Sequence, residues 1–231
     1  MELALDTSTS TAGVALADQG RVLVEVTWNV GLDHTRDVMP MVARVLDKGG
    51  CRTAELEAIV VAVGPGTFSG LRVGVSAAKG LATSLGIPLV GVNTMAVEAY
   101  PHAWSVFPLR PVIDAGRGEV ALGYYRGVDG LPVEVEPPFV GPIAEACRRV
   151  DEPTLFCGAH AGVVGERIRE LLGGRALMPP LGALPRRPSC LAALGWTRLA
   201  HGEENDPAAV QPIYLRAPSI TKPKPPRPAR R

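Results

Sequence analysis

The sequence predicts a two-lobed α/β protein in which each lobe is a mixed sheet with helices on its faces. Three observations carry that expectation. Three short strand-like segments open the chain before any helix begins. An apolar run, a Gly-Pro-Gly turn and a long helix-like segment then fill residues 58–85. Finally, Pro111-Val112-Ile113-Asp114-Ala115-Gly116 repeats Leu3-Ala4-Leu5-Asp6-Thr7-Ser8 as an apolar strand ending in aspartate.

Glu2–Leu5 reads as a strand, Asp6–Thr11 as a polar turn, and Gly13–Ala17 as a second strand. Asp18-Gln19-Gly20 turns the chain again, and Arg21–Trp28 alternates as a third strand, so the opening is an antiparallel meander. Asp33 or Thr35 can cap a helix that runs to about Lys48 and stops at Gly49-Gly50. Its apolar residues fall in two stripes, Val38, Met41 and Val45 beside Met39, Val42 and Leu46. Ala58–Val63 is β-branched and uninterrupted, the pattern of a strand covered on both faces.

Thr67 or Ser69 can cap the next helix, which carries Gly70, Gly74 and Ala78 on a small-residue side and Leu71, Val75 and Leu81 on an apolar side. These two helices either pack on one another or offer apolar surface to a partner. Arg72 lies in the first turn, where the helix dipole disfavours a cation, so it either points to water or reaches an acid. Pro88–Val92 adds a buried strand and Met95–Trp104 a helix. The resulting order, β-β-β-α-β-α-β-α, is that of an RNase H-like lobe.

In the second half, Glu119–Tyr125 returns as a strand. Ile143–Arg149 reads as a helix, Thr154–Cys157 as a strand and Gly162–Leu172 as a helix, with a last helix over Ser189–His201 capped by Ser189. The expected division is residues 1–107 for the N-terminal lobe, 108–216 for the C-terminal lobe, and 217–231 for a disordered tail. From Pro218 that tail is proline-rich and carries Lys222, Lys224, Arg227, Arg230 and Arg231 with no acid.

Over 231 residues, 46% hydrophobic and 20% charged, the formal net charge is only +1, which gives no global drive toward nucleic acid or membrane. No apolar run is long enough to cross a bilayer. Cys51, Cys147, Cys157 and Cys190 show no CxxC spacing, so reduced thiols in a cytoplasmic protein are expected.

Candidate chemistry is sparse. In the Gly64–Gly70 turn, Leu71 stands where a P-loop needs lysine, and Ser69 stands at the third glycine of a dinucleotide fingerprint. Asp6, Thr7 and Ser8, with Asp114 in the second half, are the candidate nucleotide-binding residues. An aspartate ending a first strand beside a hydroxyl-rich hairpin is how two-lobed phosphotransferases hold Mg²⁺ and phosphates, and an Asx-type turn is the structural reading of the same residues. No histidine pair has i, i+4 spacing, because Val38 follows His34 at that interval, and no metal site is expected.

ALDTSTSTAGVAL at the start, LDHTRDVMPMV on the first helix, GPGTFSGLRVG in the centre and IDAGRGEVALGYY opening the second half together resemble the TsaB (YeaZ) family. The match covers most of residues 1–126. The resemblance implies the fold of the actin, sugar-kinase and chaperone-ATPase (ASKHA) superfamily. It implies a non-catalytic subunit that pairs with the catalytic paralogue TsaD and supports recruitment of the ATPase TsaE. That complex transfers a threonylcarbamoyl group to adenosine 37 of tRNAs reading codons that begin with A.

TsaD carries an HxxxH metal site on its first helix; here His34 matches the first histidine and Val38 replaces the second. The family pairs through its first two helices, which implies partner contacts from His34, Met41, Arg44, Val45, Thr67, Phe68, Leu71, Arg72, Gly74, Val75 and Ala78. On that reading Val75→Glu leaves the subunit folded and breaks the pair. A homodimer through the same helices is the expectation for the chain alone, with no cofactor of its own and ATP and Mg²⁺ used by its partners. Contact with tRNA comes through the complex, and no membrane is involved. The competing expectation is an active ATP-dependent phosphotransferase built on Asp6 and Asp114.

Overall fold

The computed structural model describes residues 1–30, 34–180, 186–203 and 206–215, with the side chains of His34 and Thr35 excepted. The caps expected at Asp33 and Thr35 and the basic tail lie outside these residues.

The opening meander is β1 (Glu2–Asp6), β2 (Thr11–Asp18) and β3 (Arg21–Asn29), paired antiparallel. Next come α1 (His34–Lys48), β4 (Ala58–Gly64), α2 (Phe68–Leu85), β5 (Leu89–Asn93) and α3 (Thr94–Ala99). β1, β4 and β5 pair in parallel, giving the sheet order β3-β2-β1-β4-β5. The second half repeats this plan with β6 (Leu109–Gly116), β7 (Glu119–Val128), β8 (Leu131–Pro142), α4 (Ile143–Cys147), β9 (Thr154–Cys157), α5 (Ala159–Leu172) and β10 (Ala176–Leu177). Its order, β8-β7-β6-β9-β10, is that of the first sheet strand for strand.

The sequence reading contained no strand at β8, which carries Pro132, Pro137, Pro138 and Pro142, residues unfavourable to a ladder. The strand survives at the sheet edge, where missing N–H donors cost least. The helix expected over Met95–Trp104 stops at Ala99 and continues as a single tight turn, Tyr100–His102, containing Pro101.

The last helix, α6 (Pro188–Ala200), does not join the lobe that precedes it: it packs across the first sheet. Residues 108–216 are therefore not one spatial unit. Ser189 does not cap α6, which Arg187 precedes; instead the Ser189 N–H donates to Glu25 at 3.1 Å.

Side-chain size decides this layering. On one face of the first sheet, Leu3, Leu5, Val14, Leu16, Ile59 and Val61 pack with α1 and α2. On the other, Ala4, Ala15, Ala17 and Ala62 leave room for α3 and α6, and the second sheet closes over them with Leu109, Ile113, Ala121 and Tyr125. Gly195 of α6 lies so close to Val60 that an added Cβ would sit 2.4 Å from it. The outer face of the second sheet is covered by α4 and α5 around Phe156 and Ile168.

The same size rule corrects the reading of α2. Gly70, Leu71, Gly74, Val75, Ala78 and Ala82 form one buried stripe, so the small-residue and apolar sides are a single inward face. A Cβ on Gly74 would lie 2.2 Å from Thr7 Oγ1, and one on Gly66 would lie 2.1 Å from the Ser8 carbonyl oxygen. The glycines let α2 approach the β1–β2 loop rather than another helix. Thr67 occupies the N-cap but makes no side-chain capping bond.

Gly74→Val is therefore expected to destabilise the subunit by about 1–3 kcal/mol through overpacking, read as a lower urea midpoint. Val75→Glu, expected from sequence to be harmless to the fold, should unfold it at lower urea still, since Val75 is 3% exposed and the carboxylate would have no partner.

Candidate functional site

Two places qualify: the cleft between the lobes and the outer face of the α1–α2 pair. The cleft lies where β1, β4 and β6 end. Asp6 is the last residue of β1 and Asp114 lies two residues before the end of the equivalent strand β6. Asp6 Oδ1 accepts from the Ser8 N–H at 2.9 Å, and Asp114 Oδ1 accepts from the Gly116 N–H at 2.8 Å. Both aspartates thus do what an Asx-type turn requires. They differ in exposure: Asp6 is 3% exposed, while Asp114 faces the open cleft.

Asp6 is held by an arginine from far along the chain. Arg186 Nε donates to Asp6 Oδ2 and its Nη2 donates to Asp6 Oδ1 at 3.3 Å. Nη2 also donates to Thr9 Oγ1 at 2.9 Å, and Nη1 donates to Glu98 Oε1 at 2.9 Å. The Ala159 N–H at the start of α5 donates to the Glu98 carboxylate as well. The Asp6, Arg186 and Glu98 side chains are all 4% exposed or less.

One buried cation between two buried carboxylates leaves the second acid undercompensated. Burial, with the Asp6 charge added, pushes Glu98 up to about 7 against the pull of Arg186. For Arg186, burial works to lower the pKa, and the two carboxylates overcome it and hold the guanidinium above its ordinary value.

Thr7 and Ser8, expected to face nucleotide, are interior: Thr7 Oγ1 donates to the Gly70 carbonyl at 2.7 Å and Ser8 Oγ donates to Asp6 Oδ1 at 2.7 Å. The cleft itself is a cavity of about 500 Å³. Thr9, Ser10, Thr11, Glu98, Asp114 and His160 are among its polar lining, and Asp6, Thr7 and Ser8 are not part of that wall. Of the four candidate nucleotide residues, Asp114 alone lines the cavity.

On the helix pair, the residues expected at a partner surface divide. Val45 and Leu71 are fully buried, as is Ala78, and Gly74 and Val75 are buried with them. These five belong to the subunit's own core, because α1 and α2 pack on the sheet and on each other. Arg44, Thr67, Phe68 and Arg72 are exposed, and Met41 is half-buried. The His34 side chain lies outside the described residues. Met39, read from sequence only as part of an apolar stripe, is 45% exposed.

Arg72 finds neither water alone nor an acid. Its guanidinium lies 4.0 Å from the centre of the Phe68 ring and donates to the Tyr214 hydroxyl at 3.3 Å. Phe68 and Tyr214 stack with centroids 5.0 Å apart. Tyr214 is brought there by residues 206–215, which return along α2 and β4, with the Ile213 N–H donating to the Val63 carbonyl at 2.7 Å.

Sequence reasoning missed Arg186, Glu98 and Tyr214. Glu98 had a signal, being the lone acid in the apolar run Thr94–Ala99. Arg186 had none, since Arg186-Arg187 before a proline reads as solvated charge.

Among the described residues no group of three His, Cys, Asp or Glu side chains converges as a metal site. Val38, four residues after His34, is buried in the core at 1% exposure. Burial raises all four cysteine thiols, Cys190 to about 11, so none is poised as a nucleophile.

The Glu98 environment sets a pH dependence. Unfolded, this carboxyl titrates near 4.5; folded, it holds its proton to about 7. The native state is therefore the better proton binder between those values, and stability falls as pH rises through that window. Glu98→Gln is expected to flatten this slope, gaining about 2–3 kcal/mol over the wild type at pH 8 and little at pH 4, as read by urea unfolding.

The chain resembles known proteins along nearly its whole length. The TsaB protein of tRNA threonylcarbamoyladenosine biosynthesis from Bacillus subtilis is 33% identical over 217 residues, 93% of each chain. Its Escherichia coli counterpart is 34% identical over 127 residues, 54% of each chain. A family model described as TsaD, tRNA N6-adenosine threonylcarbamoyltransferase, matches residues 29–134. Among solved structures, YeaZ from Pseudomonas aeruginosa superposes with a TM-score of 0.74 at 29% identity, covering 92% of this chain and 99% of that one. At 17% identity and a TM-score of 0.52, the ethanolamine utilization protein EutJ from Carboxydothermus hydrogenoformans shares the fold over 84% of this chain and 89% of its own. Two five-stranded mixed sheets of matching strand order, with helices on their faces, are the fold expected from the sequence.

Proposed function

The chain belongs to the TsaB family of tRNA threonylcarbamoyladenosine biosynthesis proteins, and on that premise we propose that it is the non-catalytic subunit that docks a TsaD-like catalytic paralogue. The docking face is the outer side of α1 with the first turn of α2. It comprises Met39, Met41 and Arg44, together with the Phe68–Arg72–Tyr214 cluster. The observation that supports this reading most is the aromatic cluster. Phe68 and Tyr214 hold a guanidinium over a ring face at the protein surface, the kind of rigid aromatic and arginine anchor on which interface energy concentrates.

Absence of catalysis rests on the same geometry as the cleft. Asp6 is committed to Arg186, Val38 stands where a metal-binding histidine would be needed, and the thiols are suppressed by burial. An ATP-dependent phosphotransferase acting through Asp6 and Asp114 has only Asp114 available to a ligand. Recruitment of a TsaE-like ATPase, modification at adenosine 37, and contact with tRNA through the assembly follow from family membership. So does the expectation that ATP and Mg²⁺ serve the partners. When the paralogue is absent, a second copy of this chain can take the same face.

The face can be tested with substitutions that spare the core. Met39→Asp and Arg44→Glu replace exposed side chains, so each variant should keep the wild-type melting temperature. Together they are expected to weaken co-elution with a co-expressed TsaD-like subunit by about 30-fold or more, the effect of losing hot-spot contacts worth about 2 kcal/mol. Undiminished co-elution of the double variant would move the docking face elsewhere.

A further inference from the structure

We infer that Arg186 is a built-in substitute for the divalent cation of this superfamily, and that it fixes the two lobes together without any ligand. The inference rests on the non-catalytic reading and goes beyond it, because it says what fills the place of the missing cofactor. In two-lobed phosphotransferases the aspartate ending the first strand serves Mg²⁺ and phosphate. Here both oxygens of that aspartate are already spent. Oδ1 accepts from the Ser8 N–H, Ser8 Oγ and Arg186 Nη2, and Oδ2 accepts from Arg186 Nε. A metal ion would have to displace a buried guanidinium that also bonds Glu98, Thr9 and the Thr11 carbonyl.

The rest of the cleft agrees. Among the described residues its wall holds Asp114 and the edge of Glu98 and no lysine or arginine, so a polyphosphate would meet carboxyl groups with no such cation to offset them. The Gly64–Gly70 turn offers Pro65, which has no N–H. Charge and donors are both arranged against a metal–nucleotide.

The position of Arg186 gives the substitution a mechanical consequence. Arg186 lies two residues before α6 on the first sheet, Asp6 ends β1, and Glu98 sits on α3 between the two sheets. Glu98 in turn accepts from the first N–H of α5 in the second lobe. One guanidinium thus closes a chain of bonds from β1 through α3 to α5. In a nucleotide-dependent relative such a bridge would come and go with the ligand; here it is covalently part of the chain. A docking subunit gains from this, because the surface it presents does not vary with nucleotide supply.

The full chain, Mn²⁺ and ATP supply the test. Electron paramagnetic resonance of free Mn²⁺ should show no uptake by the wild type, with or without ATP, and the melting temperature should not respond to the ion. Arg186→Ala leaves Asp6 and Glu98 without their cation. It is expected to take up Mn²⁺ and to gain about 5 °C in melting temperature at saturating ion. Arg186→Gln, which keeps polar hydrogens and more of the volume, should behave in the same direction. If either variant folds only when Mn²⁺ is present, that is the same positive result.

Saturable Mn²⁺–ATP uptake by the wild type overturns the inference, whatever the variants do. So does a folded Arg186→Ala or Arg186→Gln protein that ignores the ion. Neither result touches the docking face, which stands or falls on Met39 and Arg44.

Discussion

The arrangement of the whole chain turns on a buried charge that is satisfied from three directions. Asp6 closes the first strand, where the turn that follows aims backbone and hydroxyl donors at it, and Arg186 reaches it from residues that follow the second lobe. Taking an arginine and two acids out of water is costly, and attraction repays it only where hydrogen bonds complete the geometry. That requirement fixes the start of α6 at the end of β1, and with it the return of the chain to the first sheet. The helix then fills the space between the sheets, which is available only because β1, β2 and β4 turn alanines toward it.

The duplication explains why the two lobes look alike and behave differently. Asp6 and Asp114 lie at or near the ends of matching strands and receive matching N–H bonds. Only the first is sealed by a basic side chain. The second stays at the wall of the cavity, where no such side chain reaches it among the described residues. One is a structural ion pair and the other a turn-forming residue whose carboxylate lines the cavity.

Local pattern was enough for much of this. Alternation gave the meander, an unbroken β-branched run gave β4, and the strand-then-aspartate repeat gave the second lobe. Each of these signals lies within a few residues of chain. What escaped was set by distance in space. β8 carries prolines that only an edge position tolerates, and α6 joins a sheet that ended about a hundred residues earlier. At the site, the Asp6 turn was visible, whereas its partner Arg186 was not, because no local feature of Arg186-Arg187 distinguishes a buried cation from a solvated one. The inward face of α2 was misassigned for a related reason. Glycine spacing announces close approach but does not say to what, and here the neighbour is Thr7 on the loop after β1.

That misassignment bears on how the partner surface should be understood. A helix whose small and apolar sides are both turned inward cannot offer a greasy ridge, so the proposed docking would use what remains outside. What remains is mixed: two methionines and an arginine on α1, and an arginine clasped between aromatic rings at the start of α2. Methionine adapts its shape to a partner at little cost, while the stacked cluster is held by its own contacts before any partner arrives. On the proposed docking reading, pairing one compliant patch with one pre-ordered anchor would let the subunit bind specifically while remaining folded on its own. The core beneath Val45, Leu71 and Val75 would supply that independence.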